Sequence, residues 1–81
     1  MKLKKIRSYI LEEEFKVIIR QNKLNIVNYI ELIDFNDYEV KIKYIDGILL
    51  VKGNNLILKK ILNDELLIEG NISTIEFRWY Y

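Results

Sequence analysis

Few residues in this chain could do acid–base, nucleophilic or metal chemistry, and their spacing does not gather them. Glu12, Glu13 and Glu14 are its one run of carboxylates. Adjacent acids on a single turn diverge rather than converge on an ion, so they read as a solvated face. Asp34, Asp37 and Asp46 fall in or beside turn signals, where aspartate is favoured for backbone geometry alone. Ser8, Ser73 and Thr74 carry hydroxyls, but the chain has no histidine to serve as their base. Cysteine is absent as well, which removes thiolate ligands, thiol nucleophiles and disulfides. Gly47, Gly53 and Gly70 are the three glycines. None lies between a strand and a helix at the spacing of a phosphate-cradling loop, and each reads as a turn residue. The expectation is a non-enzyme with no catalytic residue, metal or cofactor.

The one compositional excess is aromatic: six tyrosines, three phenylalanines and one tryptophan. The chain's last residues, Phe77-Arg78-Trp79-Tyr80-Tyr81, concentrate them. Trp, Tyr and Arg are the usual anchors of protein interfaces, so Arg78, Trp79, Tyr80 and Tyr81 are the candidate partner-binding residues. The alternative is a small β-barrel that stacks single-stranded nucleic acid on those rings, with Arg78 as cation. A net charge of +1 gives little reason to expect a polyanion. Tyr38, Tyr44 and Phe77 fall on apolar faces and are expected in the core.

The elements that must position these residues read as β-strands. Between Tyr38 and Tyr44 the pattern alternates without fault, with Tyr38, Val40, Ile42 and Tyr44 on one face and Glu39, Lys41 and Lys43 on the other. Asp46-Gly47 then predicts a two-residue hairpin turn with positive φ, setting Tyr44 against Leu49 and Ile42 against Val51. Gly53-Asn54 predicts a second such turn, setting Val51 against Leu56. Phe15–Arg20 reads as a strand, Gln21-Asn22-Lys23 as a turn and Leu24–Asn28 as the next strand. Ile30–Phe35 follows, with a turn at Asn36-Asp37. Strands at 58–62, 66–69 and 72–81 complete the chain, with turns at Asn63-Asp64 and Gly70-Asn71. The register of the hairpin around Asn63-Asp64 stays open, because loops of two and three residues place Lys60 and Glu69 differently. In the last strand Ile75, Phe77, Trp79 and Tyr81 share one face, and Glu76, Arg78 and Tyr80 the other. Turns every eight to twelve residues predict an all-β antiparallel meander of seven or eight short strands, rolled into a sandwich or a partly open barrel. Leu49–Leu58 (LLVKGNNLIL) is echoed by Leu66–Ile75 (LLIEGNISTI) and faintly by Leu24–Ile33, so a short solenoid of stacked arches is the competing architecture.

Eighty-one residues make one domain, with no proline and no flexible linker, so residues 14–81 read as a single all-β unit. Residues 1–13 read as a tail or short amphipathic helix carrying Lys2, Lys4, Lys5 and Arg7 before the acidic run. That charge order opposes a helix dipole. The basic tip could touch an anionic membrane surface, but the neighbouring acids oppose this and a solvated terminus is the simpler reading. No apolar h-region follows the lysines, and no apolar run approaches bilayer length.

Three stretches carry a family resemblance: Phe15–Tyr29 (FKVIIRQNKLNIVNY), Gly47–Ile61 (GILLVKGNNLILKKI) and Glu65–Phe77 (ELLIEGNISTIEF). From about Phe15 to Phe77 the chain resembles the YabP/YqfC family of small sporulation proteins of endospore-forming bacteria. The glycine-centred pair is the most specific part. The chain departs from the family where a Leu-Pro-Arg entry to the first strand is usual, and where Ile30 stands in place of a glycine after Asn28-Tyr29. The resemblance implies a non-enzymatic protein of the mother-cell cytoplasm, acting in spore envelope (cortex and coat) assembly. It further implies a protein partner that is a membrane protein of the sporulation machinery, and a peripheral place at the forespore membrane. No catalytic residues transfer with it. Strand edges also leave room for a homo-oligomer, and a ligand-binding β-roll is the third reading.

Overall fold

The computed structural model describes residues 14–79, and these form six antiparallel strands in one open sheet with no helix. They are β1 (Lys16–Arg20), β2 (Lys23–Val27), β3 (Glu31–Phe35), β4 (Glu39–Tyr44), β5 (Gly47–Ile61) and β6 (Glu65–Trp79). The tail or helix read for residues 1–13 lies outside the described residues. Strand order is β1-β2-β6-β5-β4-β3, so β3 to β6 form a meander and the β1–β2 hairpin is added against β6. The class is all-β as the alternation requires, but with six strands rather than seven or eight.

The count falls because two expected turns are bends within long strands. Gly53 and Asn54 lie inside β5, and Gly70 and Asn71 inside β6. The two bends face each other, with Gly53 opposite Ile72 and Asn54 opposite Asn71. The pairing register shifts on either side of them, between Lys52 and Gly53 and between Asn54 and Ile57. Asn55 takes φ 54° and Gly70 φ 134°, the left-handed region where small or Asx residues are tolerated. A two-stranded ribbon bends only if both strands bend at the same place. That explains the Gly-Asn echo: the copies are antiparallel partners in one ribbon, not stacked arches of a solenoid.

The first hairpin turn is also displaced. Ile45 and Asp46 make the turn, Tyr44 pairs with Gly47, Ile42 with Leu49 and Val40 with Val51. Asp46 keeps its turn role, whereas Gly47 is a buried strand residue without positive φ. A Cβ on Gly47 would sit 1.9 Å from the Arg78 carbonyl oxygen of β6, so glycine is needed there for close approach. The register differs from the expected one by two residues, which leaves the same side chains on the apolar face. Tyr38 is a second correction: it is 62% exposed, in the β3–β4 turn and not on the core face. Its carbonyl, with that of Asp37, instead accepts from the Gly53 and Leu56 amides at the bend of β5. Asn36 shapes this turn, its Oδ1 accepting from the Tyr38 amide at 3.0 Å and the Glu39 amide at 2.9 Å.

Connection lengths dictate that the sheet rolls. Strands β2 and β3 are four places apart, about 19 Å in a flat sheet, yet only residues 28–30 join them. Four Cα steps reach at most about 14 Å. Rolling brings β1, β2 and the first half of β6 over β4 and the first half of β5. Phe15, just before β1, then stacks on Tyr44 at the end of β4, with ring centroids 4.4 Å apart. Between the halves lies one core of Leu24, Ile26, Val40, Ile42, Tyr44, Leu49, Val51, Leu56, Leu66 and Ile68. Each fully buried aliphatic side chain contributes about 1.5–3 kcal/mol. On the outer face of β2, Asn25 accepts from Arg20 and donates to Glu65 at 2.9 Å, which satisfies its buried amide. The β5–β6 turn resolves the open register: Ile61 pairs with Leu66, Lys60 with Leu67 and Glu69 with Ile57. Among the described residues no helix is long and apolar enough to cross a membrane.

Candidate functional site

The bend at Gly70 divides β6 into two segments with different neighbours. Residues 65–69 lie between β2 and β5, because β2 pairs only as far as Lys23 opposite Glu69. Beyond Gly70, β6 keeps β5 on one side and has no described strand on the other. Ile72–Trp79 is therefore a sheet edge, and its unshared N–H and C=O groups form a template for an added strand.

The two faces of this edge differ. Ile75, Phe77 and Trp79 pair with Val51, Leu49 and Gly47 on the core side. Phe77 meets the buried Tyr44 ring edge-on at 6.0 Å, and Trp79 stacks on Phe77 at 6.2 Å. Phe15, Tyr44, Phe77 and Trp79 thus form a ladder that begins in the core and ends in solvent, Phe77 being 39% and Trp79 56% exposed. Phe77 is a further correction: expected in the core, it is exposed and lies outside the buried cluster, which it meets only through the Tyr44 ring. On the outer side Glu76 pairs with Leu50 and Arg78 with Ile48, and Arg78 Nη2 lies 3.2 Å from Glu76 Oε1. Both ends of that ion pair are exposed, so it contributes little to stability.

Of the predicted interface residues, Arg78 and Trp79 sit on this edge, and Tyr80 and Tyr81 lie outside the described residues. Arg78 and Trp79 project to opposite faces, so they do not combine into one stacking patch. The remaining chemistry-bearing residues stay scattered. Glu14 is exposed, with Glu12 and Glu13 outside the described residues. Ser73 Oγ donates to the Lys52 carbonyl at 3.0 Å and ties β6 to β5. Among the described residues no cluster of acids could hold a metal ion. Two shallow depressions flank the edge. One of about 250 Å³ lies between the β1–β2 turn (Ile19, Arg20, Asn22) and Ile72–Ile75. The other, about 390 Å³, lies on the outer face among Glu39, Lys41, Ile48, Leu50, Lys52 and Arg78. Sequence reasoning missed what creates the edge, namely that β2 pairs only as far as Lys23 opposite Glu69 while β6 runs on to Trp79. The Gly-Asn echo was the available signal, read as a pair of turns.

The YabP family model matches residues 12–79, and the chain belongs to the YabP family. That span coincides with the described sheet, from just before β1 to the last residue of β6. No curated protein and no solved structure matches the chain.

Proposed function

We propose that this chain is a non-enzymatic sporulation protein that acts by docking on a protein partner through the C-terminal half of β6. In this reading it is a structural or assembly factor of the spore envelope, working in the mother-cell cytoplasm and held peripherally at the forespore membrane by a membrane-protein partner. Membership of the YabP family supports a sporulation-related role. The observation that carries the mode of action is the Ile72–Trp79 edge, where Phe77 and Trp79 remain exposed beside unshared backbone groups. Large rings in water are an association liability unless something covers them. The chain's lack of histidine and cysteine accords with a binding role.

Truncation after Phe77 tests this reading. Trp79 is more than half exposed, so the truncated chain should melt within a few degrees of the full chain. In an endospore-forming host lacking the native protein, it should fail to restore spore formation. Full restoration would show that the working surface lies elsewhere, and unfolding would show that the cluster is core. Binding of single-stranded oligonucleotides with steep salt dependence would favour the nucleic-acid reading instead.

A further inference from the structure

We infer that the partner strand at this edge is the same segment of a second copy, paired antiparallel about a two-fold axis through Phe77. The inference rests on the docking role proposed for the C-terminal strand and names its occupant. Antiparallel self-pairing of Ile75–Trp79 centred on Phe77 sets Glu76 opposite Arg78 of the second copy, and Arg78 opposite its Glu76. Both pairs lie on the outer face, where each strand already holds Glu76 and Arg78 side by side. The four charges then alternate in sign around the axis. On the inner face the same register aligns Ile75 with Trp79 and Phe77 with Phe77, closing an apolar row over rings that are 39% and 56% exposed in one copy. Faces match because residues two apart along a strand share a side.

Charge selects this register over its neighbours. Centring the pair on Glu76 puts two carboxylates directly opposite each other, and centring it on Arg78 does the same with two guanidinium groups. Like charges directly opposite are destabilising, and opposite charges stabilising. The contact is isologous, so it closes at two copies and joins the two sheets without leaving this edge open. A foreign strand would need its own matching pattern, whereas the chain carries its complement in Glu76 and Arg78.

The test is the oligomeric state of the full chain by sedimentation equilibrium at low ionic strength, with circular dichroism checking the fold. The native chain should be a dimer. Glu76→Arg and Arg78→Glu, each on an exposed position, should weaken dimerisation roughly tenfold or more, because each turns both pairs repulsive. The double swap Glu76→Arg/Arg78→Glu should restore it. Since the chain has no cysteine, Phe77→Cys should form a covalent dimer under mild oxidation much faster than Lys60→Cys, which is exposed on β5. A native chain that is monomeric at all accessible concentrations overturns self-pairing and leaves the edge to a foreign strand. A dimer indifferent to both reversals, with Phe77→Cys no faster than Lys60→Cys, places the contact between copies on another surface, overturns self-pairing and likewise leaves this edge to a foreign strand.

Discussion

Replacing Gly70 by alanine places one methyl group against the backbone of β5 at the bend of the ribbon. Gly70 has φ 134°, and a Cβ there would lie 2.5 Å from the Asn55 carbonyl oxygen and 3.0 Å from the Leu56 Cα. Both neighbours are backbone, so neither can rotate away as a flexible side chain would. The left-handed conformation costs an L-residue about 1–2 kcal/mol, and forcing extra volume into a packed site costs about 1–3 kcal/mol more. A loss of roughly 2–5 kcal/mol is a large share of the ~5–15 kcal/mol that holds a domain folded. For a chain of this size it corresponds to a fall in Tm of at least about 8 °C. Urea and thermal unfolding followed by circular dichroism measure it, with Asn71→Ala, at an exposed position one residue on, as the control. A Gly70→Ala variant within about 2 °C of the native chain would refute the close approach at the bend.

Gly47→Val should destabilise by at least ~1 kcal/mol, because its Cβ would meet the Arg78 carbonyl of the paired strand at 1.9 Å. Equal stability in denaturant titration would remove close approach as the reason for glycine there. Asn36→Ala removes the acceptor for two amides of the β3–β4 turn, at a cost of about 1 kcal/mol. Hydrogen exchange should show faster loss of protection at Tyr38 and Glu39 than elsewhere in the sheet, and unchanged rates at both amides would refute the cap.

Much of this protein was legible before any fold was considered. Period-two alternation in 39–44 and 75–79 identified the strands and their apolar faces, because a strand's side chains alternate regardless of its neighbours. Asn22, Asn36 and Asp64 marked turns that the structure keeps near their expected places. The interface candidates Arg78 and Trp79 were visible as residue types crowded at one end of a strand. Family membership was readable from the glycine-centred segments of β5 and β6.

Tertiary structure decided the rest. A Gly-Asn pair after an apolar run satisfies a tight turn and a bend equally well, since both need a residue free of Cβ constraints. Only the pairing of β5 with β6 from Gly47 to Ile61 made Gly53 and Gly70 bends rather than turns. The first hairpin had two registers, two residues apart, with the same faces, so alternation could not choose between them. The contact of Gly47 with the Arg78 carbonyl, from a strand about thirty residues away, made the choice. Tyr38 carried the alternation yet fell outside the strand, because the Asn36 cap and the bend of β5 claimed its backbone first. The free edge of β6 is likewise a non-local fact. It exists because β2 is five residues long and β6 fifteen, so that β6 runs on past Lys23, where its neighbour ends.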